Sequence, residues 1–117
     1  MRYMMLIYGS ESTYEGQSPE VQAAEYQAYT AFGEEATKRG CAPEGDALQS
    51  ITTATTVRVR EGKILSTDGP FAETKEQLGG YYVLNCKDLD EAIEMAAKIP
   101  GARHGSVEIR PIMEFGE

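Results

Sequence analysis

Two helical segments, each with a strand-like run before and after it, constrain the fold of this chain more than any other feature. The first begins at Ser18 and Pro19, an N-cap residue followed by a first-turn proline, and ends at Gly40. The second opens at Asp88 and stops at Pro100. Apolar residues recur at spacings of three and four in both, so each helix is predicted to bury one face. The predicted faces are Val21, Ala24, Ala28, Ala31, Phe32 and Ala36 on the first helix, and Leu89, Ala92, Ile93, Ala96 and Ile99 on the second.

Four strand-like runs flank these helices, and the first and third of them are apolar on both faces, as in buried strands. We predict a polar loop over residues 9–17. The strands are predicted at residues 2–8, around 47–49, at 81–86 and at 105–113.

A β-hairpin is predicted between the second and third of these strands. Residues 53–60 are rich in Thr and Val, Glu61 and Gly62 form a turn, and residues 63–67 return as the second strand. One face of the hairpin is polar, which places it at the periphery.

This order of elements predicts an α+β fold of the ferredoxin-like, split βαβ type in a single domain spanning residues 1–117. An antiparallel sheet carries two helices on one face, and the hairpin is an insertion. The other sheet face is left uncovered, and its apolar residues predict a homodimer. Those residues are Met4, Leu6, Tyr8, Tyr82 and Leu84.

The charge balance excludes several classes of partner. Lys and Arg number 11 against 19 Asp and Glu, so the net charge is -8, and the basic residues are scattered singly. This disfavours nucleic acid and anionic membrane surfaces. The chain has no apolar run of bilayer length and no signal-peptide pattern, so we expect a cytoplasmic protein.

Neither a metal nor a cofactor is expected from the sequence. Cys41 and Cys86 lie far apart and show neither CxxC nor Cys/His spacing, which argues against a disulfide framework or structural zinc. We find no P-loop, nucleophile elbow or dinucleotide fingerprint.

Residues 68–82 concentrate turn formers, ionisable groups and aromatics between two strands. Asp68 precedes Gly-Pro, where a carboxylate either caps a turn or acts as a general base. Glu73 and Lys75 belong to a charged run that is a solvated loop in the simpler interpretation. If the loop covers the open sheet face, Lys75 binds an anionic substrate while Glu73 or Asp68 accepts a proton.

His104 and Arg110 are the remaining candidates. His104 is the chain's one histidine, and it is either an exposed, inert residue or a proton partner. Arg110 lies two residues after Glu108 on one strand face, so the two side chains either pair structurally or Arg110 helps to hold an anion.

The run Asp68-Gly69-Pro70-Phe71, continued by residues 72–76 and 79–81, resembles the signature of DGPF-domain proteins, a branch of the YCII-related family. Residues 2–8 and 102–111 resemble other blocks of that family, so the likeness covers nearly the whole chain. The resemblance implies a dimeric α+β barrel of ferredoxin-like subunits. It also implies an association with extracytoplasmic-function sigma factors, beside which such proteins are often encoded.

The related YCII branch has been viewed as enzyme-like because of a His-Asp pair whose histidine lies on the first helix. This chain has no histidine on that helix.

Two functional hypotheses follow. The first is a cofactor-independent enzyme or small-molecule-binding protein with a cleft between the sheet and the Asp68 loop. Its catalytic candidates are Asp68 and His104, and its substrate-binding candidates are Glu73, Lys75 and Arg110. The second is a non-catalytic regulatory module, associated with a sigma factor, whose acidic surface docks a basic partner.

Overall fold

The computed structural model describes residues 1–116, and strands and helices follow one another in the predicted order. The elements of this part of the chain are β1 (Arg2–Gly9), α1 (Glu11–Tyr14), α2 (Pro19–Lys38), β2 (Glu44–Ala47), β3 (Thr55–Arg60), β4 (Lys63–Asp68), β5 (Gln77–Asn85), α3 (Leu89–Ala97) and β6 (Ser106–Pro111), with 3₁₀ turns at Ile51–Thr53 and Pro100–Arg103.

The main sheet has four strands in the order β2-β5-β1-β6, and every neighbouring pair is antiparallel. β1 lies at its centre between β5 and β6. This is the strand order of a ferredoxin-like fold, so the α+β prediction is confirmed. The strands β3 and β4 pair only with each other, in a separate two-stranded sheet, as expected for an inserted hairpin.

The strand register decides which sheet face carries the core. Tyr3 lies opposite Leu84 and Met5 opposite Tyr82, and directly opposed residues project from the same face. Tyr3, Met5 and Leu84 are buried, and the ring of Tyr82 packs against Phe32 of α2. The prediction that Tyr82 and Leu84 lie on the uncovered face was therefore wrong. Met4, Leu6 and Tyr8 project from the uncovered side and are half-buried.

The first helix packs on the sheet only through its second half. Ser18 caps it as predicted, since its side chain accepts the Val21 N–H at 3.2 Å. Of the predicted face, only Phe32 and Ala36 are buried, whereas Val21 is 49 % exposed. The small alanines between them do not reach the sheet, and a gap remains beneath the first half of α2.

The buried stripe of α3 is displaced from the predicted one. Asp88 caps the helix by accepting the Glu91 N–H at 2.9 Å. Met95 is fully buried, whereas Ile93 is 52 % exposed. The residues closest to the sheet are spaced three, one and three apart along the helix. Ile93 lies two residues before Met95, so the helical rotation points its side chain away from the sheet. The row closest to the sheet is Ala92, Met95, Ala96 and Ile99.

Several elements differ in extent from those predicted, three of them near the first helix and the Asp68 loop. β2 lies slightly earlier than expected, the loop at 9–17 contains the one-turn helix α1, and β5 starts at Gln77 instead of Tyr81. The register of β5 against β1 shifts between Ile7 and Tyr8, which leaves Gly79 as the extra residue of a bulge.

The hairpin is exposed on both faces. Val57, Val59, Ile64 and Leu65 are all about half exposed or more, and Ile64 reaches 77 %. Among the helices of residues 1–116, none is long and apolar enough to cross a bilayer.

The displaced buried stripe of α3 leads to a prediction about stability. Met95→Ala should lower the free energy of unfolding by about 2–5 kcal/mol, because it removes a fully buried side chain. Ile93→Ala, two residues away on the same helix, should change it by less than about 1 kcal/mol. Urea unfolding curves with an unchanged m value measure both. Equal losses would contradict the assignment of the stripe.

Candidate functional site

A cavity of about 740 Å³ lies between the first half of α2 and the edge of the sheet where β2 pairs with β5. The helix α1 and residues 48–50 also line it. The cavity occupies the gap beneath α2 that the packing of the helix leaves open. Its size is within the range usual for small-molecule sites, about 300–1,000 Å³.

The helix α2 presents four side chains to this cavity. Gln22, Glu25, Tyr26 and Tyr29 all line it, and their spacing of three, one and three residues places them on one helix face. Tyr26 is 75 % exposed at the mouth. Tyr29 lies deeper, where its ring stacks against Tyr82 with centroids 6.4 Å apart.

Glu25 carries the unusual feature of the site. One of its carboxylate oxygens, Oε1, is buried and has no hydrogen-bond partner within residues 1–116. Burying an unsatisfied polar atom costs about 1–3 kcal/mol, more for a charged group. A ligand that donates a hydrogen bond or carries a positive charge would satisfy this oxygen, so Glu25 is the residue of the cavity best placed to bind one.

The tyrosines around Glu25 are held in their protonated form. Burial, followed by the negative charge of Glu25, raises the pKa of Tyr29 to about 12, although a hydrogen bond from the Gly101 backbone opposes the shift. Burial and then the charges of Glu25 and Glu76 also raise the pKa of Tyr14. Both hydroxyl groups are hydrogen-bond donors at neutral pH, as any tyrosine is, and the raised pKa values extend this to more alkaline pH.

Of the other acidic residues of the wall, Glu15 is exposed, and Glu11 and Asp46 are engaged in hydrogen bonds. Glu11 accepts hydrogen bonds from Ser50 Oγ at 2.9 Å and from the Ile51 N–H at 3.0 Å, which ties α1 to the segment after β2. Asp46 accepts the Tyr81 hydroxyl at 2.8 Å. These hydrogen bonds hold the wall of the cavity together. Within the described residues, Glu25 is the wall residue whose buried carboxylate oxygen has no hydrogen-bond partner.

The lining is apolar and acidic. Tyr14, Tyr26, Tyr29 and Tyr82 contribute aromatic surface, and the described lining contains carboxylates but no Lys, Arg or His. Aromatic faces and carboxylates both attract cations. The charge pattern therefore favours a neutral or positively charged ligand in this cavity.

None of the five residues singled out from the sequence lines this cavity. Asp68, Glu73, Lys75 and His104 are exposed, and so is Arg110 on β6. Their catalytic and substrate-binding roles stay predictions, as does the anionic ligand expected at Lys75 and Arg110.

The turn at Asp68 is held by the neighbouring backbone. Gly69, at φ +109°, donates its N–H to Ala54 O at 2.8 Å and accepts Thr56 Oγ1 at 2.8 Å. Neither bond uses the Asp68 carboxylate. Phe71 is 81 % exposed and contacts the Arg58 guanidinium, which lies 5.7 Å from its ring centroid.

The ion pair considered for Arg110 is present. Its Nε donates to Glu108 Oε2 at 2.7 Å, and the partner carboxylate raises the pKa of Arg110. Both side chains are largely exposed, so the pair contributes little stability. Structural pairing is thus the interpretation that the geometry supports.

Sequence reasoning missed the helix-borne residues of the cavity. Three of these positions lie beside the predicted apolar face of α2, so the sequence pattern predicts that they are exposed to solvent. They are Gln22, Glu25 and Tyr26. The available signal was the 22/25/26/29 spacing of two tyrosines with two polar residues, a pattern too apolar for a purely solvated helix face.

Comparison with known proteins shows the family of this chain. The model of the YCII-related domain matches residues 1–116. The chain belongs to the YCII-related family. An uncharacterized protein of Rhizobium meliloti is 36 % identical to it over 114 residues, which is 96 % of this chain and 92 % of the relative. Within the YCII-related family, the finer placement in the DGPF branch stays a prediction.

The raised pKa of Tyr29 predicts a loss of stability at alkaline pH. Its folded-state value of about 12 lies above the ordinary value of 10.0, so the unfolded chain loses this proton first. The contribution of Tyr29 to stability is therefore complete below pH 10 and is lost as the pH rises towards 12. Denaturant unfolding across this range should show a shallower decline for Tyr29→Phe than for the wild type. Identical slopes would contradict the assignment.

Proposed function

We propose that this YCII-related protein binds a small organic molecule, neutral or positively charged, in the cavity beneath α2. The observation that carries the proposal is the buried, unpartnered oxygen of Glu25. A hydrogen-bond donor or ammonium group on the ligand would satisfy it, and hydrogen bonds to charged groups contribute about 1.5–3 kcal/mol.

The walls suit the rest of such a ligand. Tyr29 and Tyr82 stack on each other in the cavity wall and Tyr26 lies at the mouth, so an aliphatic or aromatic body would be buried against tyrosine rings. A cationic group over a tyrosine face gains about 0.5–2 kcal/mol, depending on its desolvation. The lack of basic residues in the described lining removes the usual means of holding a carboxylate or phosphate.

The same groups support cofactor-independent chemistry. In that reaction the Glu25 carboxylate accepts a proton from the ligand, and a protonated tyrosine hydroxyl donates a hydrogen bond to the negative charge that develops. The raised pKa values of Tyr14 and Tyr29 keep both phenols available as donors. Glu25 thus takes the acid/base role that the sequence assigned to Asp68.

Thermal-shift measurements with matched ligands test this function. Small aromatic amines should stabilise the protein, with neutral phenols of the same skeleton giving a smaller shift and the corresponding carboxylates none. At 100 times its Kd, a ligand should add about 2.7 kcal/mol to the stability of the folded state.

Glu25→Gln should weaken amine binding by about tenfold or more, because it removes the charge while keeping the shape of the side chain. Glu34→Gln is the matched control, since Glu34 is an exposed acid of α2 outside the cavity, and it should leave the affinity unchanged. Equal affinity of Glu25→Gln and wild type, or stabilisation by carboxylates alone, would refute the proposal.

The hairpin supports a second candidate function, that of an interaction module. Its exposed aliphatic side chains would be buried by a partner, and it carries Arg58, Arg60 and Lys63 against Glu61 and Asp68. This locally basic arm complements the acidic remainder of a second copy, so the partner we propose is a homodimer subunit. The regulatory alternative, with a sigma factor as partner, would use the same surface or the acidic body.

Sedimentation velocity over a range of concentrations tests the dimer. The wild type should sediment as a dimer, and Ile64→Glu should shift it towards monomer because the substitution places a charge on the most exposed aliphatic residue of the hairpin. Glu61→Gln in the hairpin turn is the control and should remain dimeric. A wild-type mass that stays monomeric at every concentration would contradict the proposal.

A further inference from the structure

A second cluster of chemically capable side chains lies at the other end of β5. Cys41, Cys86 and Glu91 each offer one ligand atom, and these atoms all lie within 4.8 Å of one another. Both cysteines are free thiols, at 0 % and 1 % exposure. We propose that this triad is a binding site for a thiophilic divalent metal ion of the Zn²⁺ type.

Backbone bonds fix the two thiols as neighbours. Cys41 follows the end of α2, and its N–H donates to Ala36 O at 2.9 Å. Its carbonyl accepts the Asn85 N–H at 2.7 Å, so the residue after the helix is tied to the last residue of β5. Cys86 is the next residue along the chain. The two sulfur atoms are thus brought together by main-chain geometry.

Glu91 completes the set from the first turn of α3. Its Oε1 accepts the Lys87 N–H at 2.9 Å, and its Oε2 lies 3.3 Å from Arg39 Nη2. These contacts fix the carboxylate beside the thiols while leaving it lone pairs for an ion. Partners of this kind orient the ligand groups of metal sites.

The donor set matches the preference of zinc. Two thiolates and a carboxylate are ligands that Zn²⁺ accepts, and in a tetrahedral site with bonds of about 2.0–2.3 Å the donor atoms lie about 3.3–3.8 Å apart. The triad therefore needs only a small contraction from its present spacing. Hard ions such as Mg²⁺ prefer oxygen ligands and are disfavoured.

A fourth position is accessible. Cys86 and Glu91 line a cavity of about 390 Å³ that also contacts Arg39 and Asn85. A water molecule or small ligand entering there would reach the ion on the side that the protein leaves open. Two thiolates and a carboxylate exceed the charge of a divalent ion by one, and the adjacent Arg39 balances the remainder.

The thiols must lose their protons for binding. Metal uptake therefore displaces protons, and affinity should fall as the pH is lowered.

Titration with Co²⁺ tests the site, because the absorption spectrum of bound cobalt depends on its ligands and their geometry. Reduced, chelator-treated protein should bind one equivalent, with near-ultraviolet sulfur-to-metal charge-transfer absorption and visible bands of a tetrahedral ion, and Zn²⁺ should abolish both. Cys41→Ser and Cys86→Ser should each weaken the charge-transfer band, and the double serine variant should lose it.

Glu91→Gln provides a variant that does not alter the buried thiols and should weaken Co²⁺ binding about 10- to 100-fold. Glu94→Gln is its control, since Glu94 also pairs with Arg39 but lies outside the triad, and its affinity should equal that of the wild type. The absence of a charge-transfer band, or a band of equal strength in the double serine variant, overturns the proposal. Formation of a Cys41–Cys86 disulfide with no metal uptake by the reduced protein also overturns it.

Discussion

The packing of Phe32 against Tyr82 is the contact on which the rest of this structure depends. Their ring centroids lie 5.1 Å apart, and Ala36 is buried one helical turn further on. Burying a phenylalanine side chain contributes about 1.5–3 kcal/mol, enough to set where a helix lies on a sheet. Because this contact is at the second half of α2, the first half extends over the sheet without reaching it. The cavity is the consequence, and Tyr82 serves both the core and the cavity wall.

The periodicity of apolar residues in the sequence was enough to predict the architecture. The predictions of individual buried residues that failed share a physical cause. Caps at Ser18 and Asp88 located both helices, and the resulting strand order is the predicted one. Spacing reveals that a helix has an apolar stripe but leaves its centre uncertain by about one residue, or 100° of rotation. Ile93 and Met95 are equally plausible core residues in the sequence, and only the packing on the sheet separates them. In the same way, alternation alone could not say which face of β5 the helices cover.

The candidate site was less accessible to sequence reasoning because local features do not distinguish its central residue. Glu25 and Glu34 are both acids on α2, and the fold gives only Glu25 a place in the cavity wall. Residues 68–82 attracted attention because turns and charges concentrate there. In the fold, that concentration marks the junction between an exposed hairpin and a central strand, whose turn is closed by the backbone of Gly69. A run that resembles a family signature can record a requirement of the fold instead of a site of chemistry.

The thiol triad illustrates the same limit at longer range. Along the chain, Cys41 and Cys86 are separated by β2, the hairpin and β5, and no spacing rule connects them. The hydrogen bond between the Asn85 N–H and Cys41 O nevertheless makes them neighbours. This end of β5 and the bulge at Gly79, beside the cavity, are about 20 Å apart along the strand. Between them lies the Phe32–Tyr82 contact. The scaffold therefore presents two chemically different candidate sites, which share no side chain. One is the cavity of acids and tyrosines under α2, and the other is the thiol cluster just beyond the ends of α2 and β5.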